Sequence, residues 1–127
     1  MAENRKIKGN LGEKAVKKYI TEKGYKVIAE NYCIRGGEID IIAEDGGFLV
    51  FIEVKTRKRK LIESAYESVD KRKIMNIVRT AVRYCTEHNT ELQPRFDVAV
   101  VCMDDMRRAY IDYIENAFDL SDCDIIF

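Results

Sequence analysis

Histidine, tryptophan and proline are almost missing from this chain of 127 residues, which holds one His, one Pro and no Trp. A single imidazole, that of His88, gives almost no support to catalysis by a histidine base or to a zinc site. The cysteines form no CxxC pair and have no nearby cluster of metal-ligating residues, which is typical of reduced thiols in a cytosolic protein. They are Cys33, Cys85, Cys102 and Cys123.

Long apolar stretches and glycine-rich phosphate loops are also missing. The apolar run Phe48–Ile52 is far too short to span a membrane. Because Met1–Lys6 leads into no apolar signal region, we expect a cytoplasmic protein without a membrane partner. No dinucleotide fingerprint occurs, which weakens the case for a nucleotide cofactor. With 46% hydrophobic residues and no repeats or linkers, residues 1–127 are expected to form a single domain.

The net charge is zero, from 22 basic and 22 acidic residues, but the charges are unevenly distributed. Residues 1–60 carry 14 basic and 9 acidic side chains, a net charge of +5, and residues 61–127 carry a net charge of −5. The densest basic run predicts contact with a nucleic-acid backbone, although such runs are often only solvated loops. Its candidate phosphate ligands are Arg57, Lys58, Arg59 and Lys60.

One hairpin organises the chain. Two apolar, β-branched runs flank Asp-Gly-Gly at positions 45–47, a composition that predicts antiparallel strands joined by a tight turn. Charges interrupt these strands at Asp40, Glu53 and Lys55. If the first two turn residues form the loop, Asp40 lies diagonal to Glu53; if the last two form it, the carboxylates lie directly opposite each other. Both registers place the three charged residues on one face of the sheet.

Two carboxylates and one ammonium group at the end of a buried sheet suit the hydrolysis of a phosphodiester. Mg²⁺ typically binds one or two carboxylates together with waters and phosphate oxygens. Asp40 and Glu53 are therefore the candidate ligands of Mg²⁺ or Mn²⁺, with the carbonyl of Val54 as a further oxygen. Lys55 would orient the attacking water or stabilise charge on the phosphate. The alternative is an exposed strand face that carries an ordinary Glu–Lys pair.

Glu13 permits two interpretations. Asn10, with Glu13 three residues later, can form a capping box at the start of a helix. On a helical wheel Glu13 also stacks with Val16 and Ile20, at the flank of the apolar stripe. In that case its carboxylate points inward along the sheet as a third acidic member of the site.

Helical periodicity predicts two helices. The first ends near Gly24 and carries apolar residues at helical spacing, namely Ile7, Leu11, Ala15 and Tyr19. The second follows the ambiguous segment Leu61–Ser68 and covers Ile74–Cys85. Lys73 lies in its first turn, where a cation opposes the helix dipole. This unfavourable interaction is small if Lys73 is exposed to solvent. It is also accounted for if Lys73 has a role in holding a phosphate.

Further strands are predicted at Tyr25–Ile34, Arg95–Cys102 and Ala109–Ile114, which gives an α/β protein with the order α-β-β-β-α-β-β. At this level of detail the motifs resemble a known family. Glu38-Ile39-Asp40, followed by Phe51–Lys55, resembles the metal-site core of the PD-(D/E)XK nuclease superfamily. The whole set is more closely similar to the bacterial YraN-like family, which is itself similar to archaeal Holliday-junction resolvases. The motifs of this closer resemblance are Gly9-x-x-Gly12-Glu13, Gly37–Asp40, Val50–Arg57, Lys73, Arg95-Phe96-Asp97 and Asn116-Ala117-Phe118.

The resemblance implies a restriction-endonuclease-like fold, in which helices flank a central mixed β-sheet. It implies Asp40, Glu53 and Lys55 as a metal-dependent catalytic triad, with Glu13 as a further catalytic residue and metal ligand. It also implies a homodimer that hydrolyses DNA, branched DNA included. Ile39 stands where the superfamily's name has Pro. The alternative function is a non-catalytic nucleic-acid-binding or protein-interaction domain that keeps the nuclease fold, which the zero net charge favours.

Overall fold

The structure of the chain is a computed structural model that describes residues 2–58, 71–103, 106 and 108–119. In that part of the chain there are two helices, α1 (Ala2–Glu22) and α2 (Lys71–His88). The strands are β1 (Lys26–Ile34), β2 (Gly37–Asp45), β3 (Phe48–Lys58), β4 (Gln93–Met103) and β5 (Ala109–Phe118). The predicted order α-β-β-β-α-β-β is confirmed. The ambiguous segment Leu61–Ser68 lies outside the described residues.

The five strands form one mixed sheet in the spatial order β1-β2-β3-β4-β5. All neighbouring strands are antiparallel except β3 and β4, which are parallel. A parallel pair needs a long crossover connection, and the connection between these two strands contains α2. The predicted fold class, a central mixed sheet flanked by helices as in restriction endonucleases, is therefore confirmed.

The two helices cover opposite faces of the sheet. The core under α1 contains Val16, Ile20, Ile41, Ile52 and Val101. The core under α2 contains Phe51, Ile77, Val78, Phe96 and Val98. Because both faces are covered, each central strand contains an unbroken apolar run, at residues 41–43 in β2, 48–52 in β3 and 98–102 in β4. Neither helix has the long apolar stretch that crossing a bilayer requires.

The turn between β2 and β3 has the register with a two-glycine loop. Asp45 pairs with Phe48, so Gly46 and Gly47 form the loop, and the register that would place Asp45 in the loop is wrong. Gly46 has a φ of 58°, in the left-handed region that side chains rarely adopt. The turn needs glycine at position 46, and this requirement selects the register in which Asp40 stands directly opposite Glu53.

The start of α1 differs from the sequence-based expectation. The helix runs without a break from Ala2 to Glu22, so Asn10 lies inside it rather than at its start. The capping box of Asn10 and Glu13 is therefore wrong, because an N-cap residue must precede the first helical turn.

The buried face of α1 is also rotated from the predicted stripe. Leu11 is 47% exposed, whereas Val16 and Ile20 are fully buried. Gly12 accounts for this orientation, because a Cβ at that position would overlap Oγ1 of Thr56 on β3. The helix approaches the strand at a residue that has no side chain, and Glu13 follows directly after this contact.

A second glycine brings α2 close to the sheet. A Cβ on Gly37, at the start of β2, would overlap Oγ1 of Thr80, which is fully buried. The same hydroxyl donates a hydrogen bond to the carbonyl of Asn76 at 2.6 Å. This packing places the second and third turns of α2 over the start of β2.

Candidate metal centre and its cleft

The two carboxylates of the predicted site lie where β2 and β3 separate. The pairing of these strands runs as far as Ile41 and Ile52. Beyond that point the N–H of Val54 donates to Oδ2 of Asp40 at 2.8 Å. The Asp40 side chain therefore replaces a backbone acceptor at the end of the ladder. This arrangement brings the Asp40 carboxylate close to Glu53, as the two-glycine register predicts.

Asp40 lies in an environment that disfavours its charged form. Burial raises the pKa of Asp40 from its ordinary 3.8 to about 7, and repulsion from Glu53 is the second cause. Glu13 and Glu38 raise this pKa further, whereas the hydrogen bond from Val54 lowers it. A carboxyl whose pKa is shifted in this way by burial and by neighbouring carboxylates, inside a cleft, marks a candidate functional site.

Lys73 lies against the second carboxylate. Its Nζ is 2.7 Å from Oε1 of Glu53, whose side chain is 8% exposed, while that of Lys73 is 45% exposed. Burial lowers the pKa of Lys73, but the hydrogen bond and the charge of Glu53 outweigh burial and leave that pKa raised. Sequence reasoning assigned Lys73 to phosphate, and no sequence pattern predicted its contact with Glu53.

Lys55 lies on the same strand face as Glu53, since the two residues are separated by one position on β3. Its side chain is buried, at 5% exposure. Burial lowers the pKa of Lys55, and repulsion from Lys73 lowers it further. The site thus brings together two carboxylates and two ammonium groups from three different elements.

Glu13 reaches the site from α1. It lines the same cleft as Asp40 and Glu53. Burial raises the pKa of Glu13, repulsion from Glu30 and Glu38 adds to the effect, and a hydrogen bond with the Asn31 side chain lowers it. Of the two interpretations of Glu13, the inward-pointing carboxylate is the one that agrees with the structure.

These residues surround a cleft of about 610 Å³. Its walls come from α1, the start of β2, the middle of β3 and the first turns of α2. Its lining residues are Glu13, Gly36, Gly37, Glu38, Asp40, Glu53, Val54, Arg72, Lys73, Asn76 and Ile77. Arg72, which the sequence groups with Lys71 and Lys73 as a candidate phosphate contact, lines the cleft. Sequence reasoning missed Asn76 as a cleft residue, and only its three-residue helical spacing from Lys73 could have suggested it.

The donor set fits a hard divalent ion that keeps part of its hydration. Among the described residues, no three His, Cys, Asp or Glu side chains group closely enough to hold a metal by themselves. Mg²⁺ and Mn²⁺ do not need such a cage, because they bind one or two carboxylates and complete their coordination with water and phosphate oxygens. The mutual repulsion of Asp40 and Glu53 is what a cation between them would relieve.

The basic run begins inside the sheet rather than in a loop. Arg57 and Lys58 belong to β3, and Nη1 of Arg57 donates to the carbonyl of Thr56 at 2.8 Å. Arg59 and Lys60 lie outside the described residues. The strand that carries Glu53 and Lys55 therefore continues directly into the basic run.

The Arg95-Phe96-Asp97 motif forms a separate charged cluster with the residues around it. Arg95 donates to both carboxylate oxygens of Asp97, at 3.0 and 2.9 Å, and to Asp45 at 2.8 Å. Asp97 is fully buried and also accepts from the hydroxyl of Tyr113 at 2.6 Å and the N–H of Asn116 at 2.9 Å. Because each charge has close partners, this cluster joins β2, β4 and β5 and supplies no ligand to the cleft.

The fold and the cleft define an α/β protein of restriction-endonuclease-like architecture, with opposed carboxylates where two central strands separate. In a comparison with known protein families, the model of the Uncharacterised protein family UPF0102 matches residues 12–101, a range that contains every residue of the cleft lining. The chain belongs to this family.

Individual relatives cover almost the whole chain. A UPF0102 protein of Pelotomaculum thermopropionicum is 38% identical over 120 residues, which are 93% of this chain and 100% of the relative. A UPF0102 protein of Symbiobacterium thermophilum is 41% identical over 111 residues, which are 87% of this chain and 94% of the relative. The similarity therefore includes all the elements that surround the cleft.

Proposed function

We propose that this protein is an Mg²⁺- or Mn²⁺-dependent endonuclease that hydrolyses phosphodiester bonds of DNA, with branched DNA among its substrates. The observation that carries the proposal is the convergence of Asp40 and Glu53 in the cleft, where burial first and repulsion from Glu53 second raise the pKa of Asp40 to about 7. A divalent ion held there would polarise the scissile phosphate and make hydroxide available near neutral pH.

The protein's own residues have separate roles in this proposal. Asp40, Glu53 and Glu13 are the candidate metal ligands, and Asp40 is held in place by the N–H of Val54. Lys55 lies beside them, where its ammonium group can hold the attacking water or the charge that develops on the phosphate. Lys73 and the basic run that starts at Arg57 supply cations for the DNA backbone.

A cleavage panel tests the proposal. Linear, flapped and four-way DNA are incubated with the wild type in Mn²⁺, and Asp40→Asn is expected to reduce cleavage by at least about 100-fold. Glu44→Gln is the matched control, because Glu44 lies on the same strand but does not line the cleft. DNA binding without cleavage by the wild type would support the alternative function, a non-catalytic nucleic-acid-binding domain, which the zero net charge favours.

A further inference from the structure

The contact between Lys73 and Glu53 raises a question that the proposed function leaves open. An ammonium group and a divalent ion that share one carboxylate repel each other, even where each contacts a different oxygen. We propose that Lys73 is an internal counter-ion of Glu53 that a divalent cation must displace, so that Lys73 and the cation compete for one carboxylate. This inference rests on the proposed function, because it concerns the same site.

The burial of Glu53 is the first argument. Its side chain is 8% exposed, and an ionised carboxylate at that depth requires a partner, since desolvation disfavours an isolated charge. Asp40 is a poor partner, because its ionised carboxylate and that of Glu53 repel each other. Lys73 Nζ, at 2.7 Å from Oε1, is the cation that satisfies Glu53 in the structure.

The position of Lys73 is the second argument. It lies in the first turn of α2, where the helix dipole disfavours a cation. Beyond Lys73 the helix packs closely on Gly37 through the carbonyl of Asn76 and the side chain of Thr80. The side chain of Lys73 is 45% exposed, and its flexible four-carbon stem can leave Glu53 without movement of the helix.

The displaced ammonium group would remain inside the cleft, where Arg72 and Asn76 also lie. A phosphate of the DNA backbone would then find a cation that the metal-free protein keeps paired. Metal and phosphate would therefore promote each other's binding, since each favours the arrangement in which Lys73 has left Glu53.

Mn²⁺ alone is the probe for the competition, followed by electron paramagnetic resonance of the free ion. Lys73→Met is expected to bind Mn²⁺ about tenfold more tightly than Lys71→Met, which removes the same charge from the same helical turn outside the cleft lining. Lys73→Arg keeps the charge and is expected to bind Mn²⁺ as the wild type does. Far-ultraviolet circular dichroism of each variant checks that it is folded.

A Glu53→Gln background gives an independent check, because the competition needs the carboxylate. There Lys73→Met should no longer tighten Mn²⁺ binding relative to Lys71→Met. Equal Mn²⁺ affinities of Lys73→Met and Lys71→Met in the wild-type background would overturn the competition between Lys73 and the cation while leaving the metal site in place. Absence of Mn²⁺ binding in every variant would instead overturn the proposed function, and the competition with it.

Discussion

Asp40 serves the fold and the proposed chemistry with the same carboxylate. Its Oδ2 accepts the N–H of Val54 where the ladder between β2 and β3 ends. Burial and the charge of Glu53 at the same time disfavour its ionised form. An amide side chain could keep the hydrogen bond and avoid the charge, so the presence of an acid here is a cost to the metal-free fold.

This cost predicts a pH dependence of stability. The pKa of Asp40 is raised to about 7 in the folded chain, so the folded state binds this proton more tightly than the unfolded state does. The stabilising contribution is fully present below the unfolded pKa, near pH 4, and is lost as the pH rises through about 7. Asp40→Asn should therefore raise the free energy of unfolding in chelator by about 2 kcal/mol at pH 8, and by much less at pH 4 to 5.

Urea denaturation across that pH range measures the effect. Glu44→Gln, on the same strand and outside the cleft, should change the free energy of unfolding by less than about 0.5 kcal/mol. If Asp40→Asn were less stable than the wild type at pH 8, the Asp40 carboxylate would be a stabilising structural partner. Burial and the charge of Glu53 would then not destabilise its ionised form.

At the scale of the secondary-structure elements, the close approach of α1 to β3 fixes where Glu13 points. The apolar spacing of α1 predicted a helix correctly, but it predicted the wrong buried face. Spacing describes only the helix itself, whereas the orientation is decided by the contact of Gly12 with Thr56 on another element. Information of that kind is absent from local periodicity.

This contact predicts a sign reversal for one substitution. Glycine to alanine in a helix interior normally gains about 1 kcal/mol. At Gly12 the added Cβ would overlap Oγ1 of Thr56, and such overpacking costs about 1 to 3 kcal/mol. Gly12→Ala should therefore destabilise the wild type by about 1 kcal/mol and stabilise a Thr56→Ala background by a similar amount.

Thermal and urea denaturation of the wild type, Gly12→Ala, Thr56→Ala and the double variant give the coupling energy between the two positions. Thr56→Val is the matched control, because it keeps a branched atom at the position of Oγ1 and should not reverse the sign. Equal effects of Gly12→Ala in the wild-type and Thr56→Ala backgrounds would mean that the helix does not depend on this close approach.

The hairpin shows what local sequence can predict about the site. Turn chemistry and strand alternation place Asp40 and Glu53 together for either two-residue loop, whereas a three-residue loop would send them to opposite faces. The contact of Lys73 with Glu53 could not be predicted in the same way. It joins α2 to β3 across a crossover, and no spacing rule relates positions on two such elements.

At the scale of the whole molecule, zero net charge conceals an asymmetric distribution. The strand that carries Glu53 and Lys55 continues into Arg57 and Lys58, and the sequence adds Arg59 and Lys60 directly after them. A DNA backbone that follows this run would pass the cleft. Its affinity would then depend on salt, because each neutralised phosphate releases counterions.

Replacing Arg57 and Arg59 with Ala should weaken DNA binding equally for every sequence. For duplex DNA, the slope of log affinity against log salt should become shallower by about 0.9 for each lost phosphate contact. The double variant should lose roughly two such contacts. Fluorescence anisotropy on labelled duplex and four-way DNA across a salt series measures this slope. Stability should change little, since the described hydrogen bond of Arg57, to the neighbouring carbonyl of Thr56, is worth about 1 kcal/mol.

The control for this series is Lys23→Ala with Lys26→Ala. Lys23 follows α1 and its ammonium group lies over the rings of Tyr19 and Tyr113. Lys26 begins β1, opposite Glu44 in the strand register, and neither lysine lines the cleft. This double variant removes the same formal charge and should leave the salt slope unchanged. A salt slope that is identical in the Arg57 and Arg59 double variant and the wild type would show that the basic run is only a solvated segment.

The central claim is that the converging carboxylates of Asp40 and Glu53 form a divalent-cation site, and calorimetric titration with Mn²⁺ tests it most directly. The wild type and Glu44→Gln should bind one ion per chain with the same affinity, and Asp40→Asn should bind at least about tenfold more weakly. Binding by Asp40→Asn that equals that of the wild type, or no binding by the wild type, would contradict the claim.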